Sequence, residues 1–486
     1  MVTSSPDRGG LCHTRAVNVG EKPGDIGAAV ATTPPDRDRW ADALRVGSLL
    51  VVILGHWLMV VLTPTGEIGN LLALVPALQP ATWLLQVMPL FFLVGGVAHA
   101  HTLDSLDRAA PDPRAPGRYA AFVRARAARL LRPTLAFLGV WLVLGVLAHV
   151  SGLTSRGDQA GLVRAALVLV PQLLWFVGIY LGIAAFAPAM LRAHRRFGVG
   201  ALAALVVAAV LVDALRFGLG VPLVANLNFA LVWLALHQCG FLWLDGRLTR
   251  ALAWGLLLVG ASGLVLGTTR GPYPVSMVGL PGDEVSNMAP PTAALLAQGL
   301  ALIGLAALLR GPMAQVLARP RVWRVVVTAG AFAMTAFLWH LTALLLVLLS
   351  ARALGIGLPE PATAAWWWSR PLWFLLLAVP TGALVAIFVR FDRGPRRARG
   401  IPGGQPRWVD PLAAVAVAVV VFGVLMVSIT GVDVLGNRPQ FFLVGEVTPG
   451  VAFLVLVVGL GMLALAGPRG QGRQLTQSRR TASTPA

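Results

Sequence analysis

The stretch that decides the fold runs from Leu44 to Pro64 and reads LRVGSLLVVILGHWLMVVLTP. As an α-helix it is long enough to cross a bilayer core about 30 Å thick, because each residue adds about 1.5 Å. Its apolar residues are continuous rather than alternating, which argues against a transmembrane β-strand. We therefore predict a transmembrane helix that carries Arg45 near one end and His56 near its middle.

The same kind of stretch recurs along the chain, which is 57% hydrophobic and only 12% charged. Its mean hydropathy of +0.76 lies well outside the range of soluble domains. The further predicted spans are 82–100, 134–152, 168–190, 199–216, 222–244, 251–268, 293–309, 325–349, 371–389, 410–430 and 447–466. The sequence thus predicts an all-α, polytopic transmembrane helical bundle of about twelve helices, with the lipid bilayer as its surroundings.

The basic residues predict the orientation of the bundle. The net charge is +19, and 32 of the 39 Lys and Arg residues lie in the N-terminal segment and in every second connection thereafter. This alternation follows the positive-inside rule and places both termini in the cytoplasm, for a multi-pass protein of the plasma membrane. Because the charge is explained by topology, we expect no nucleic-acid partner.

The chain divides into a membrane core and additions to it. Residues 1–39 lack the apolar region of a signal peptide, and the two cysteines, Cys12 and Cys239, offer neither a disulfide framework nor a thiolate metal site, so no metal is expected. The predicted parts are a disordered cytoplasmic tail (1–39), a ten-helix core (40–391), a basic cytoplasmic linker (392–409), a transmembrane hairpin (410–466) and a second disordered tail (467–486).

Ionisable groups inside spans are costly and are candidates for function. Arg45 and His56 are eleven residues apart, which is close to three helical turns, so both share one helix face about 16 Å apart. Asp42 precedes Arg45 by three residues and can pair with it. A lone buried histidine, such as His340 or His237, is more often a core hydrogen bonder than a catalyst.

The most basic connection runs from His101 to Arg132, holds seven arginines and is helix-compatible from Tyr119 onward. Arg126 and Arg129 share a helix face, with Arg132 one step further along. Guanidinium groups at this spacing suit phosphate oxygens. Positive-inside topology alone would also place arginines here.

Several of these segments together resemble the acyltransferase-3 family of membrane proteins, which transfer acyl groups, often acetyl, to sugars and surface polysaccharides. Arg45 and His56 are similar to the family's Arg-x10-His signature. The other matching segments follow in the family's order: Phe91-Phe92-Leu93-Val94-Gly95-Gly96, Arg126-Ala-Ala-Arg129, Leu174-Trp175-Phe176 with Tyr180 downstream, and Phe337-Leu-Trp-His340. Gly95 stands where the family usually has serine.

The resemblance implies a site at which His56 is the general base and Arg45 guides the donor, acyl-CoA and most simply acetyl-CoA. Arg126, Arg129 and Arg132 would hold its phosphates, and the acceptor would be a carbohydrate or another hydroxyl compound. Further pocket candidates are Asp42, Trp175, His340, Phe92 and Gly95.

Two other classes of membrane protein fit parts of the pattern. Twelve helices with both ends inside are common among secondary transporters, but no repeat of the first six helices is visible in the last six. A polyprenyl-dependent glycosyltransferase would usually have acidic residues in the first outside loop, where Glu67 is the one acidic residue.

Overall fold

The computed structural model describes residues 26–34, 37–62, 68–109, 112, 115–155, 160–392 and 405–467, which are overwhelmingly helical. The α-helices are α1 (Ile26–Ala31), α2 (Arg39–Met59), α3 (Leu71–Leu74), α4 (Thr82–Leu85), α5 (Met88–Ala109), α6 (Arg118–Val150), α7 (Ala160–Gln172), α8 (Trp175–Phe197), α9 (Val199–Gly218), α10 (Asn228–Leu244), α11 (Arg250–Thr269), α12 (Ala293–Leu308), α13 (Arg310–Ala318), α14 (Pro320–Ala353), α15 (Ala364–Phe388), α16 (Val409–Thr430) and α17 (Pro449–Leu465). Two antiparallel strand pairs complete the fold, β1 (Val60–Leu62) with β2 (Ile68–Asn70) and β3 (Gln440–Phe442) with β4 (Gly445–Val447).

The predicted fold class, an all-α transmembrane bundle, is confirmed. Within the described residues, ten helical segments are long and apolar enough to cross a membrane. The helices α12 and α13, which form a pair bent by 55°, and the 17-residue α17 coincide with the two remaining predicted spans. Each of the twelve predicted apolar segments is therefore helical over most of its length.

The end of the first span differs from its prediction. Helix α2 ends at Met59, and the chain continues as β1, which pairs with β2 so that Val60 lies opposite Asn70. Consecutive β-branched residues favour extended backbone, and Asn70 holds the return strand by accepting a hydrogen bond from Leu72 at the start of α3. His56 consequently lies in the last turn of α2 rather than in the middle of a longer helix.

The start of α2 is fixed by Asp38, which lies just before the helix. Its carboxylate accepts a hydrogen bond from the backbone of Ala41 at 3.0 Å, so that it caps the helix. The same carboxylate accepts from the indole of Trp243 at 2.7 Å and from Arg310 at 2.8 Å. Three separate elements thus meet at one residue and set the position of Arg45, two turns further along.

The basic connection between the second and third predicted spans is largely helical. Helix α6 begins at Arg118 and runs for 33 residues through Pro133, as the prediction of helix from Tyr119 onward implied. At about 1.5 Å per residue it is about 50 Å long, more than a bilayer core requires. The first half of α6 carries Arg126, Arg129 and Arg132.

The tails predicted to be disordered are only partly covered. Within residues 1–39, the short helix α1 packs against α14, whereas residues 1–25 lie outside the described part of the chain. Of the second tail, residues 468–486 also lie outside it, as do residues 393–404 of the predicted linker.

Helices α5 and α10 cross closely because both carry glycine at the contact. A Cβ atom at Gly96 would overlap the carbonyl oxygen of His237 and lie 3.0 Å from the Cα of Gly240. One turn away from this contact, His99 and His237 are hydrogen-bonded at 2.9 Å, and both are fully buried. Small residues that let two backbones approach are the usual basis of helix pairing in membranes.

Candidate active site

Two histidines meet in the bundle interior although 284 residues separate them in sequence. The His56 Nδ1 atom on α2 lies 2.8 Å from the His340 Nε2 atom on α14. His340 is fully buried and His56 is partly exposed. Because its partner lies at the centre of the bundle, the His56 imidazole faces protein rather than lipid.

The hydrogen-bond partners of this pair assign the ring protons of the neutral histidines. The His340 Nδ1 atom lies 2.6 Å from the carbonyl oxygen of Phe337, and a carbonyl can only accept, so Nδ1 carries the proton. His340 Nε2 is then an acceptor, and it must receive the Nδ1 proton of His56. His56 is left with an unprotonated Nε2, the form that a general base requires.

Two tryptophans fix the register of the helices that carry this pair. The Trp57 indole donates to the backbone carbonyl of His340 itself at 3.2 Å, and the Trp373 indole on α15 donates to the carbonyl of Trp57 at 3.1 Å. Both tryptophans pack with Ile53 and Leu377 in a buried cluster between α2, α14 and α15. The distance between the two imidazoles is thereby set by three helices.

An aromatic layer lies next to the histidine pair. Phe176 on α8 packs edge-on against Phe337, with 5.5 Å between ring centroids, and Phe337 contacts His340. Phe92, one of the predicted pocket residues, is fully buried and stacks on Trp233 at 4.5 Å. Trp175 lies at the edge of this layer, 6.2 Å from Trp233.

Gly95 makes room in this layer for Tyr180. A Cβ atom at Gly95 would lie 2.9 Å from the Cε2 atom of the Tyr180 ring, which is closer than real Cβ atoms approach. The departure from the family's usual serine therefore accompanies a tyrosine packed directly on the helix backbone. Tyr180 also contacts His99, with 5.4 Å between ring centroids.

A group of charged side chains lies toward the opposite end of α2. Asp42 binds the Arg37 guanidinium at 2.6 Å and lies 3.7 Å from that of Arg45, so the predicted pair exists and is shared with a second arginine. The Arg45 side chain lies against α14, where a Cβ atom at Gly330 would be 3.5 Å from it. Coulombic interactions link Arg45 to Arg129 as well.

Arginines of α6 join the same group. Arg126 donates a hydrogen bond to the Thr102 hydroxyl on α5, and it interacts electrostatically with Tyr180 and His99. Arg129 and Arg45 also interact electrostatically with Tyr180, so three of the four predicted arginines influence this one phenol.

Arg132 is exposed one turn further along α6, and its predicted role stays a prediction.

Asp392 also belongs to this group, although the sequence placed it in the linker. Its carboxylate accepts a hydrogen bond from Thr335 on α14 at 2.8 Å and interacts with Arg129 and Arg45. Burial is the largest influence and raises the pKa of the Asp392 carboxyl above its usual value, while Thr335 and the two arginines act in the opposite direction. A carboxylate next to a run of arginines was the signal available in the sequence.

Positive charge is concentrated in this part of the site. Among the described residues just discussed are the guanidinium groups of Arg37, Arg45, Arg126 and Arg129 and the carboxylates of Asp42 and Asp392. Several guanidinium groups close together in a partly buried setting attract an anion. Eleven residues of α2, about 16 Å of helix, separate Arg45 from His56 and its partner. The site can therefore hold an anionic group at one end and remove a proton at the other.

Comparison with known families gives a match over this same region. The model of the acyltransferase-3 family, described as an acyltransferase domain, matches residues 38–390, nearly three quarters of the chain. The searches of curated proteins and of solved structures found no match. The matched region begins at the Asp38 cap and includes both histidines, the aromatic layer and the arginines of α2 and α6. The chain belongs to the acyltransferase-3 family and is a membrane acyltransferase.

Proposed function

We propose that the protein transfers an acyl group, most simply acetyl, from cytoplasmic acyl-CoA to a hydroxyl of a sugar, glycan or related acceptor. The observation that carries this proposal is the arrangement along α2. An imidazole with an unprotonated Nε2 lies at one end of the helix, and a cluster of guanidinium groups lies about three turns away.

The arginine group suits the donor. The nucleotide part of CoA carries a diphosphate and a further phosphate, and guanidinium groups bind phosphate oxygens in a bidentate manner. Arg126 and Arg129 would hold these phosphates, with Arg132 at the entrance, and Arg45 would direct the arm that ends in the thioester. The spacing of about 16 Å between Arg45 and His56 leaves room for an extended arm along α2.

The proposed chemistry needs one proton acceptor. His56 Nε2 takes the proton of the acceptor hydroxyl while its oxygen attacks the thioester carbonyl carbon, which forms a new C–O bond and a tetrahedral intermediate. The intermediate collapses, the C–S bond breaks, and the CoA thiolate receives the proton from the His56 imidazolium. His340 takes no proton in this scheme. It accepts the Nδ1 hydrogen of His56 and stabilises the imidazolium.

The distribution of basic residues supports a topology for this reaction. With both termini in the cytoplasm of a plasma-membrane protein, the arginine end of α2 faces the donor side and the His56 end faces outward. Under this proposal an acceptor reaches His56 from outside or from within the bilayer.

Acyl transfer is tested with the purified full-length protein and acetyl-CoA labelled in the acetyl group. We expect slow hydrolysis without an acceptor, or transfer to an added carbohydrate, and loss of both in His56→Ala. The matched control is His149→Ala, which replaces a partly exposed histidine near the end of α6, away from the site. Full turnover by a well-folded His56→Ala protein would contradict the assignment of the base.

The transporter alternative predicts a different measurement. A secondary transporter would move substrate across proteoliposomes in the absence of an acyl donor, whereas we expect no such transport. The family match, which covers ten of the twelve predicted spans, supports the acyltransferase.

A further inference from the structure

The hairpin of α16 and α17 lies beyond the region that the family model matches, yet it packs as part of the bundle. Helix α16 contacts α6, α7 and α8. Its approach to α8 is close, because a Cβ atom at Gly178 would lie 2.8 Å from the Leu425 side chain. Four valines of α16 are completely or almost completely buried: Val417, Val420, Val424 and Val427. The hairpin therefore covers one side of the helices that carry the candidate donor site.

The hairpin supplies the N-terminal cap of α6, the helix that carries the arginines. The Asp410 carboxylate, in the first turn of α16, accepts hydrogen bonds from the backbone of Gly117 at 3.0 Å and of Ala120 at 2.9 Å. These amides belong to the start of α6, where backbone donors have no partner within the helix. Gly117 has a positive φ of 86° and supplies no side-chain cap of its own. A carboxylate from elsewhere in the chain provides what the local sequence omits.

A second contact holds the next turn of α6. The Arg124 guanidinium donates to the backbone carbonyls of Leu463 at 3.3 Å and Ala464 at 3.5 Å, at the end of α17. A cation is favourable at a helix C-terminus, where carbonyls lack partners. Arg126, only two residues further along, instead bonds to Thr102 on α5. The first turns of α6 thus lie between the hairpin on one side and the candidate site on the other.

The far end of the hairpin contacts the far end of α6. The Asp433 carboxylate lies 3.4 Å from the His149 imidazole, in the last turn of α6. Nearby, the backbone of Val432 donates to the carbonyl of Leu167 on α7 at 3.0 Å. The hairpin therefore supports α6 at both ends, and only one of these ends carries the arginines.

We propose that the α16–α17 hairpin is a clamp that positions the donor-binding arginines, with Asp410 as the positioning residue. Ala120 and Arg126 are six residues apart, about 9 Å of helix, so unwinding that spreads less than two turns beyond Ala120 would reach Arg126. The link to the donor rests on the proposed function, because it assumes that Arg126 and Arg129 bind acyl-CoA. The link to the conformation of α6 does not.

The test compares Asp410→Ala with Asp433→Ala in the full-length protein, since each variant removes one hairpin carboxylate from one end of α6. Amide hydrogen exchange of residues 118–126 should become about tenfold faster in Asp410→Ala, and stay within about twofold in Asp433→Ala. With acetyl-CoA as donor, KM should rise about tenfold in Asp410→Ala while kcat changes by less than about twofold. Asp410→Asn retains an oxygen acceptor and should restore most of both effects.

Either of two results would overturn the clamp. The first is unchanged exchange and unchanged KM in Asp410→Ala, and the second is an equal effect of the two alanine variants, which would mean that the whole hairpin merely loosens. If Asp410→Ala does not fold, Asp410→Asn decides the question. An amide exchange rate of residues 118–126 somewhat above that of the wild type supports the clamp, and a rate equal to that of the wild type overturns it. Exchange needs no donor, so a wild-type protein that neither binds nor turns over acetyl-CoA would contradict the proposed function while the clamp is still tested.

Discussion

Replacing His340 with alanine should slow acyl transfer about 2- to 30-fold without a matching change in donor KM. In the resting site, His340 accepts the Nδ1 hydrogen of His56 at 2.8 Å, and its own proton is held by the Phe337 carbonyl at 2.6 Å. This pair keeps the Nε2 lone pair of His56 free. Alanine removes the acceptor and lets the His56 ring rotate or adopt the other tautomer.

The magnitude follows from the change in charge during the reaction. In the ground state the two rings are neutral, and a hydrogen bond of this kind contributes about 1 kcal/mol net. In the transition state His56 becomes an imidazolium, and a hydrogen bond from a charged donor contributes about 1.5–3 kcal/mol. Only the difference between the two states, about 0.5–2 kcal/mol, changes the barrier, and at about 1.4 kcal/mol for each factor of ten its loss predicts the stated range. Removal of the base itself, in His56→Ala, should cost about 100- to 10,000-fold.

A double-mutant cycle separates a positioning role from a catalytic one. The assay measures single-turnover transfer from labelled acetyl-CoA in detergent, with protein quality checked by size-exclusion chromatography. His56→Ala combined with His340→Ala should be no slower than His56→Ala alone, because His340 acts only through His56. His340→Gln, whose amide oxygen can accept from His56, should recover part of the rate. A His340→Ala protein as inactive as His56→Ala, or additive effects in the double variant, would refute the reasoning.

Two further predictions concern Asp392 at the arginine end of the site and the contact between α5 and α10. As pH falls through the raised pKa of Asp392, its carboxyl becomes neutral and stops competing for the neighbouring arginines, so CoA should bind more tightly. Asp392→Asn should bind CoA about fivefold more tightly at neutral pH, which corresponds to about 1 kcal/mol of removed Coulomb competition, and should flatten this pH dependence in calorimetric titrations. Weaker or unchanged affinity would contradict it. Gly96→Ala should lower the thermal unfolding midpoint by several degrees, because its Cβ would overlap the His237 carbonyl. Gly139→Ala, with nothing within 4 Å, is the control and should not lower it.

Much of the fold was predictable because lipid leaves few alternatives. A backbone that crosses a bilayer must satisfy its polar groups internally, so every long apolar stretch had to be a helix. The end of α2 was not predictable in the same way. Residues 60–62 are as apolar as those before them, and a short apolar run cannot distinguish helix from strand. The pairing of β1 with β2 settles it, and that pairing is tertiary information.

The sequence predicted which residues belong to the candidate site better than it predicted which of them contact one another. The helical period placed Arg45 and His56 on one face of α2 and placed Asp42 next to Arg45. Both relations lie within a single helix, so spacing along the sequence is enough to predict them. The contact of His56 with His340 depends on how α2 and α14 rotate against each other, which no spacing within one helix encodes. His340 was therefore a pocket candidate without a role, and its bond to Phe337 supplies one.

Asp392 was missed for another reason. Composition marks the region after the tenth span as basic and polar, and a boundary drawn from composition falls wherever the apolar run ends. The carboxylate belongs to the membrane core because Thr335 on α14 reaches it, one residue beyond the predicted boundary.

The arginines of α6 illustrate how topology and function can be separated. The positive-inside rule predicts arginines at this end of the helix whatever they do, so their number carries no information about a site. Their phase does. At about 100° per residue, Arg124 points about 160° away from Arg126, and it binds the end of α17 while Arg126 binds Thr102. Arg129 lies only about 60° from Arg126 and, like Arg126, interacts electrostatically with Tyr180, whereas Arg132 has turned about 120° away. The contribution to donor affinity should therefore decrease from Arg126 and Arg129 to Arg132, and alanine variants compared by CoA binding would expose any other order.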